Sequence, residues 1–158
     1  MKATAITAIL IALLGTLTAG AAPKSSATFD KALGDAEMLA ALNPAWSVHR
    51  TSGESMGEFF GDNSLILVQT ASIKEIAVGM MIVYRSTDGE LISHKVVEHN
   101  GDHLRTKGSA NWNLDPEPVT AEMVVGTIFA VFHAAAAPSG ELFASDGAPI
   151  PTAFCKSY

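Results

Sequence analysis

The sequence predicts one mostly β domain, preceded by an export segment and a single short helix. Three observations point there. From Ser64 onward the chain is divided into short runs rich in Val, Ile and Leu, each closed by turn residues, which is the texture of a β-rich domain. A length of 158 residues, with 48% hydrophobic and 16% charged residues, supplies apolar material for the core of one ordinary domain. At the start, Lys2 is followed by the uncharged stretch Ala3 to Ala22 around an apolar centre, Ile9-Leu10-Ile11-Ala12-Leu13-Leu14.

In chain order, residues 1–21 read as a signal peptide, with Ala19-Gly20-Ala21 as an A-x-A-like cleavage site. An uncleaved anchor is the rival, because the uncharged stretch approaches the length of a bilayer-spanning helix. Either way the rest of the chain is expected outside the cytoplasm, periplasmic or secreted. Residues 22–50 form a polar linker, Pro23 to Thr28, and an amphipathic helix with Leu33, Ala36, Leu39, Ala40 and Leu42, ended by Asn43-Pro44. Residues 51–133 form the domain proper. Its strands are Leu65 to Gln69, Met80 to Arg85, Leu91 to Glu98, His103 to Lys107 and Val125 to Phe132. Thr87-Asp88-Gly89 turns the second into the third, and Asn100-Gly101, both tolerant of positive φ, folds the third back onto the fourth. Residues 134–158, spaced by Pro, Gly and Ser without periodicity, are expected to form a flexible tail.

Charge and motif content narrow the function. Ten basic against sixteen acidic residues leave a net charge of −6, and no Lys/Arg run could neutralise a series of phosphates, so nucleic acid is excluded as a partner. The one cysteine, Cys155, permits neither an internal disulfide nor a thiolate metal cage, and is expected to be a free or intermolecular thiol. His99 and His103 are four apart, but the turn between them is a hairpin and not a helical turn, so no metal site follows. His49 and His133 have no acidic or thiol neighbours at ligand spacing. Neither Gly-x-x-x-x-Gly-Lys nor Gly-x-Gly-x-x-Gly occurs, and no metal or other cofactor is expected.

Serine hydrolysis requires a hydroxyl on an exposed turn, a base within hydrogen-bond reach and donors for the oxyanion. Ser55 lies in Thr51-Ser52-Gly53-Glu54-Ser55-Met56-Gly57, a Gly-flanked stretch just ahead of the first strand, although solvated loops share that texture. After Ser55-Met56 come Gly61-Asp62, Val78-Gly79-Met80-Met81-Ile82-Val83-Tyr84-Arg85, Ser93-His94-Lys95-Val96-Val97 and Thr106-Lys107-Gly108-Ser109-Ala110-Asn111. This order, over about Ser52 to Phe132, resembles the signal peptidase I family, in particular its archaeal, endoplasmic-reticulum and spore-former branch.

The resemblance implies a coiled antiparallel β-sheet domain of signal-peptidase/LexA-like type. It assigns Ser55 as nucleophile, His94 as general base and Asp115 as the carboxylate behind the imidazole. Independently, His94 sits between Ile92 and Val96 on one face of a strand, where a half-buried structural histidine would also fit. Asp115 equally opens an Asp-Pro turn. The implied substrates are exported or membrane-tethered polypeptides with small residues before the cut, and Phe59-Phe60 beside Ser55 is either a membrane-surface contact or core. Three positions depart from the family pattern. Gly53 stands where the family has a serine that donates to the oxyanion, Gly108-Ser109 where it has Gly-Asp, and Gly57-Glu58 where Glu-Pro follows Ser-Met. These departures support a rival from another class, an inactive extracytoplasmic domain that binds an extended peptide along a sheet edge.

Overall fold

The computed structural model describes residues 21–158, so most of the expected export segment lies outside the described residues. The order of elements among the described residues is one α-helix, eight strands and a short 3-10 helix: α1 (Phe29–Ala40), β1 (Trp46–Ser52), β2 (Ser64–Gln69), the 3-10 helix (Ile73–Glu75), β3 (Met81–Arg85), β4 (Leu91–His99), β5 (His103–Lys107), β6 (Val119–Thr120), β7 (Val124–His133) and β8 (Thr152–Phe154). No helix among the described residues is long and apolar enough to cross a membrane.

Helix α1 starts where Thr28 caps it, its hydroxyl accepting from the Lys31 N–H, with Asp30 in the first turn. An exposed Lys31–Asp35 pair one turn apart adds a few tenths of a kcal/mol. The buried stripe is Phe29, Ala32 and Ala36, the first two packed with Leu65 and Ala134; Leu42, expected on the buried face, is exposed beyond the helix end. Small alanines let the helix axis lie close to the sheet.

Strands β3, β7, β2, β1, β8 and β4 pair in that order, and β4 also pairs with β3, closing a six-stranded barrel. Strands β5 and β6 extend the sheet from β4. Alternation divides the apolar residues between two clusters. Ile82 and Tyr84 of β3 join Ile92, Val96, Leu104 and Val119, whereas Val83 between them joins Met56, Phe60, Ile66, Val68, Ala153 and Cys155. The β3–β4 turn uses Gly89 at φ 89° and the β4–β5 hairpin uses Gly101 at φ 82°, as the turn residues predict. At Gly126, where β7 passes from β2 to β3, a side chain would collide with the Gln69 backbone.

Three strands were not expected: β1, the two-residue β6, which pairs antiparallel with β5, and β8. β1 pairs antiparallel with β2 from Trp46↔Gln69 to Arg50↔Leu65, and its buried members, His49 and Thr51, are polar. The stretch 134–158, expected to lack regular structure, supplies β8, which lies parallel to β1 on one side and parallel to β4 on the other. The sheet is therefore mixed, not wholly antiparallel. Phe60 is core and Phe59 is partly buried with the Lys95 ammonium 5.8 Å from its ring centre, so this pair is not an exposed apolar patch.

Candidate active site

Ser55 sits in the loop between β1 and β2, in a tight turn closed by the Gly57 N–H on the Glu54 carbonyl at 3.0 Å. Gly53 and Gly57 both take positive φ, 102° and 54°, which lets the loop reverse twice within five residues. The loop is tied at its base by the Asp62 carboxylate, which accepts from the Gly53 N–H at 2.6 Å and the Ser52 hydroxyl at 3.3 Å. On its other side the Ser55 carbonyl accepts from the Ala110 N–H at 2.7 Å. Gly108 presses against the same residue: a Cβ there would lie 2.7 Å from the Ser55 Cβ. Met56, immediately after Ser55, is fully buried and anchors the turn in the barrel interior.

The strand register brings the remaining groups to Ser55. Ile82 pairs with His94, Tyr84 with Ile92 and Val96 with Thr106, so Tyr84, His94 and Thr106 share one face of β3, β4 and β5. Asp115 is drawn onto that face from the loop after β5. Its N–H donates to the Thr106 carbonyl at 2.8 Å, and Arg105 donates to its carbonyl at 2.8 Å. The result is a chain of contacts: Ser55 Oγ to His94 Nε2 at 2.9 Å, then His94 Nδ1 to Asp115 Oδ2 at 2.7 Å. Ser55, His94 and Asp115 are 1%, 0% and 1% exposed.

Asp115 Oδ2 also accepts from Thr106 Oγ1 at 2.6 Å and from the Tyr84 hydroxyl at 2.9 Å, while Oδ1 is buried without a partner. Burial alone would raise the carboxyl pKa. The hydrogen bond and charge of His94, with the donors Thr106 and Tyr84, outweigh it and hold the carboxyl below its usual range. Burial and the neighbouring Asp115 charge push the Tyr84 phenol up, so it stays protonated and remains a donor. An ionised Asp115 fixes the imidazole proton on Nδ1 and leaves Nε2 free to accept from the Ser55 hydroxyl. The three groups thus combine a hydroxyl, a base of defined tautomer and a buried charge that supports an imidazolium, the geometry of a hydrolytic triad.

The three residues proposed from sequence therefore meet at hydrogen-bond distance. Sequence reasoning passed over Tyr84, Thr106, Asp62 and Asn111 as individuals, although all lie within or beside the segments that carry the resemblance. Gly53 has no side chain to offer an oxyanion, and its N–H is committed to Asp62. Ser109 is exposed and makes no side-chain hydrogen bond among the described residues. Elsewhere, Ser64 Oγ meets His133 Nδ1 at 3.0 Å, but no carboxylate bonds that ring among the described residues. His99 is bonded to the Ile76 and Gly101 carbonyls and His103 to Asp102; among the described residues no cluster of three or more His, Cys, Asp or Glu side chains could hold a metal ion.

The last strand completes the site's surroundings. The Cys155 N–H donates to the Ser52 carbonyl at 2.6 Å, Asn111 donates to the Lys156 carbonyl at 2.8 Å, and the Tyr158 ring stands edge-on to His94 with centroids 6.1 Å apart. Lys156 forms an ion pair with Glu90. No protein-family model matches this chain, and no curated protein matches it.

Proposed function

We propose that this chain is a serine endopeptidase of signal-peptidase type, acting on exported or membrane-tethered polypeptides. The observation that carries the reading is the buried Ser55–His94–Asp115 relay, with spacings of 2.9 and 2.7 Å. In this reaction Ser55 Oγ attacks the scissile carbonyl carbon while His94 Nε2 takes the hydroxyl proton. Asp115 faces the imidazolium so formed and is not itself protonated. The tetrahedral adduct collapses as His94 returns the proton to the leaving amine, giving an ester on Ser55 and a free amino terminus. A water deprotonated by His94 then cleaves the ester, releasing the acid and restoring the hydroxyl. These residues need no cofactor for the reaction. The small side chains expected before the cut follow from the resemblance, as do export of the domain and work at a membrane surface.

The fold supports the finer assignment to the signal-peptidase and LexA-like type in one respect: nucleophile, base and acid come from the β1–β2 loop, β4 and the loop after β5, in the order of the resembled segments. The catalytic rate is expected to be modest. Loss of one oxyanion donor costs about 10²- to 10³-fold, and Gly53 supplies none from its side chain.

One observation favours the second reading, an inactive peptide-binding domain: the Gly53 N–H, a neighbour of the nucleophile, is held by Asp62. A cleavage assay on residues 22–158 separates the two. The purified chain is incubated with exported-protein precursors in detergent or lipid and the products are read by mass spectrometry. Cleavage abolished by Ser55→Ala and by His94→Ala is the expected result. Peptide binding without cleavage by the unsubstituted chain would leave the binding domain as the answer.

A further inference from the structure

A nucleophile acts on a carbonyl that approaches to about 3–3.5 Å, yet Ser55 is 1% exposed and His94 is 0% exposed. Something must leave before any polypeptide reaches them. The stretch after β7 reaches the edge of the site: its end returns as β8 between β1 and β4, and Tyr158 beyond it stands edge-on to His94 with ring centroids 6.1 Å apart. β8 pairs with both in parallel, Arg50↔Thr152 to Ser52↔Phe154 on one side and Leu91↔Ala153 with Ile92↔Phe154 on the other. All other strand pairings among the described residues are antiparallel.

We propose that Thr152–Tyr158 is an intramolecular occupant of a peptide-strand cleft between β1 and β4, which an incoming polypeptide must displace to reach Ser55. This rests on the peptidase reading above for the identity of the incoming chain. The fit is that of a bound peptide. Backbone pairing holds the segment, as in strand addition, while its alternate side chains, Ala153 and Cys155, are buried beside Met56 and Phe154 between them faces outward. Gly53 is shaped for a passing backbone, since a Cβ there would run into the Cys155 carbonyl. The segment then crosses the site itself, with its Lys156 carbonyl on Asn111 and its Tyr158 ring against His94.

The hold is also reversible in kind. β8 has three residues, and the stretch before it, 134–151, contains no named strand and one isolated bridge, Phe143↔Pro149. Side-chain tethers on the segment are few: Lys156 to Glu90 and, at 3.9 Å, to Asp88, and the two asparagines Asn111 and Asn113 on its carbonyls. A competing strand can replace each backbone hydrogen bond it removes, so exchange loses little pairing energy. The tethered segment has the advantage of a high effective concentration, on the order of millimolar, and sets the threshold a substrate must exceed.

Cys155 reports on the exchange in the full chain, because burial, with the Asp62 and Glu54 charges, pushes its thiol up to about 12. The probe is the heptapeptide Thr-Ala-Phe-Ser-Lys-Ser-Tyr, which copies 152–158 with serine for cysteine, added at millimolar concentration with a scrambled control. Colorimetric thiol labelling of Cys155 is followed alongside labelling of Ser55 by a fluorophosphonate. The peptide, and not its scramble, is expected to raise Cys155 labelling at least threefold. Lys156→Glu, which places a third acid beside Asp88 and Glu90, is expected to raise it at least tenfold without peptide. Unchanged Cys155 labelling with the peptide would make 152–158 a fixed barrel strand and overturn the proposal, whether or not Ser55 reacts. If Lys156→Glu does not fold by circular dichroism, the peptide arm on the unsubstituted chain decides alone. Responsive Cys155 with a Ser55 that never labels would support the displaceable segment and remove the peptidase reading.

Discussion

Asp115→Asn is the most informative substitution, because the structure separates its charge from its geometry. Asp115 Oδ2 accepts from His94, Thr106 and Tyr84, while Oδ1 has no partner. An asparagine can keep its carbonyl oxygen in the Oδ2 place, retaining all three donors and the imidazole tautomer. Its NH2 group then falls in the Oδ1 place, buried and unbonded, at a cost of roughly 1–3 kcal/mol in stability. What is lost is the negative charge facing the imidazolium. At a charge separation of about 4 Å and an effective dielectric near 20, that interaction is worth about 4 kcal/mol. The rate of Ser55 acylation should therefore fall about a thousandfold. The assay is the second-order rate of fluorophosphonate labelling by intact-mass spectrometry, with Ser55→Ala as the blank and circular dichroism to show that the fold is kept. Segment 152–158 occludes both chains alike, so the ratio isolates the charge. Labelling of Asp115→Asn within threefold of the unsubstituted chain would refute the view that this carboxylate supports the base.

Gly108→Ala places a methyl group 2.7 Å from the Ser55 Cβ and 2.8 Å from its carbonyl oxygen, so the nucleophile must shift; Ser55 labelling should drop about a hundredfold while the melting temperature changes by only a few degrees. His49 is held neutral by burial, its pKa lowered from 6.5 to about 4. Its stabilisation is complete above the unfolded value and is lost as pH falls from 6.5 toward 4, because the unfolded chain takes up the proton first. Urea titrations should show a decline over that window of which roughly 3 kcal/mol is lost in His49→Leu, leaving the smaller part due to His133, whose imidazole burial also holds below its usual value. Asp115 has the opposite origin but acts in the same direction: its depressed pKa gives stability present above the unfolded carboxylate value of about 3.9 and lost below it. His49→Leu should therefore still unfold in stronger acid, and Asp115→Asn in the His49→Leu background should make that remaining limb shallower, the other depressed carboxylates keeping the rest.

What the sequence made legible follows from the range of the interactions involved. The β4–β5 hairpin was readable because Asn100-Gly101 is a local signal, and β5 spans His103–Lys107, the return strand expected after that turn. Ser55, His94 and Asp115 could be singled out because the segments around them keep a recognisable order along the chain. Their distances could not, since these depend on cross-strand register, Ile82 opposite His94 and Val96 opposite Thr106. β1 escaped notice because its inward positions hold His49 and Thr51, polar groups that look solvent-facing until partners far along the chain bury them. Thr51 bonds the Gly61 and Ser64 carbonyls, and no pattern of hydrophobicity announces that. β8 escaped for a related reason. Three residues carry no periodicity, and their strand character comes from pairing with Arg50 and Leu91, far away along the chain.

That placement of β8 has a consequence for how the chain reaches its fold. The pairings Arg50↔Thr152 and Leu91↔Ala153 are among the most distant in sequence, and the loop entropy they require is recovered only once the other strands stand in place. The barrel is therefore sealed late, and until then β1 and β4 present two facing rows of unpaired backbone groups. Two partly folded copies that meet in this interval can each insert β8 into the other's open seam, using the same hydrogen bonds. Refolding at high protein concentration should accordingly yield exchanged dimers that dilution alone resolves slowly.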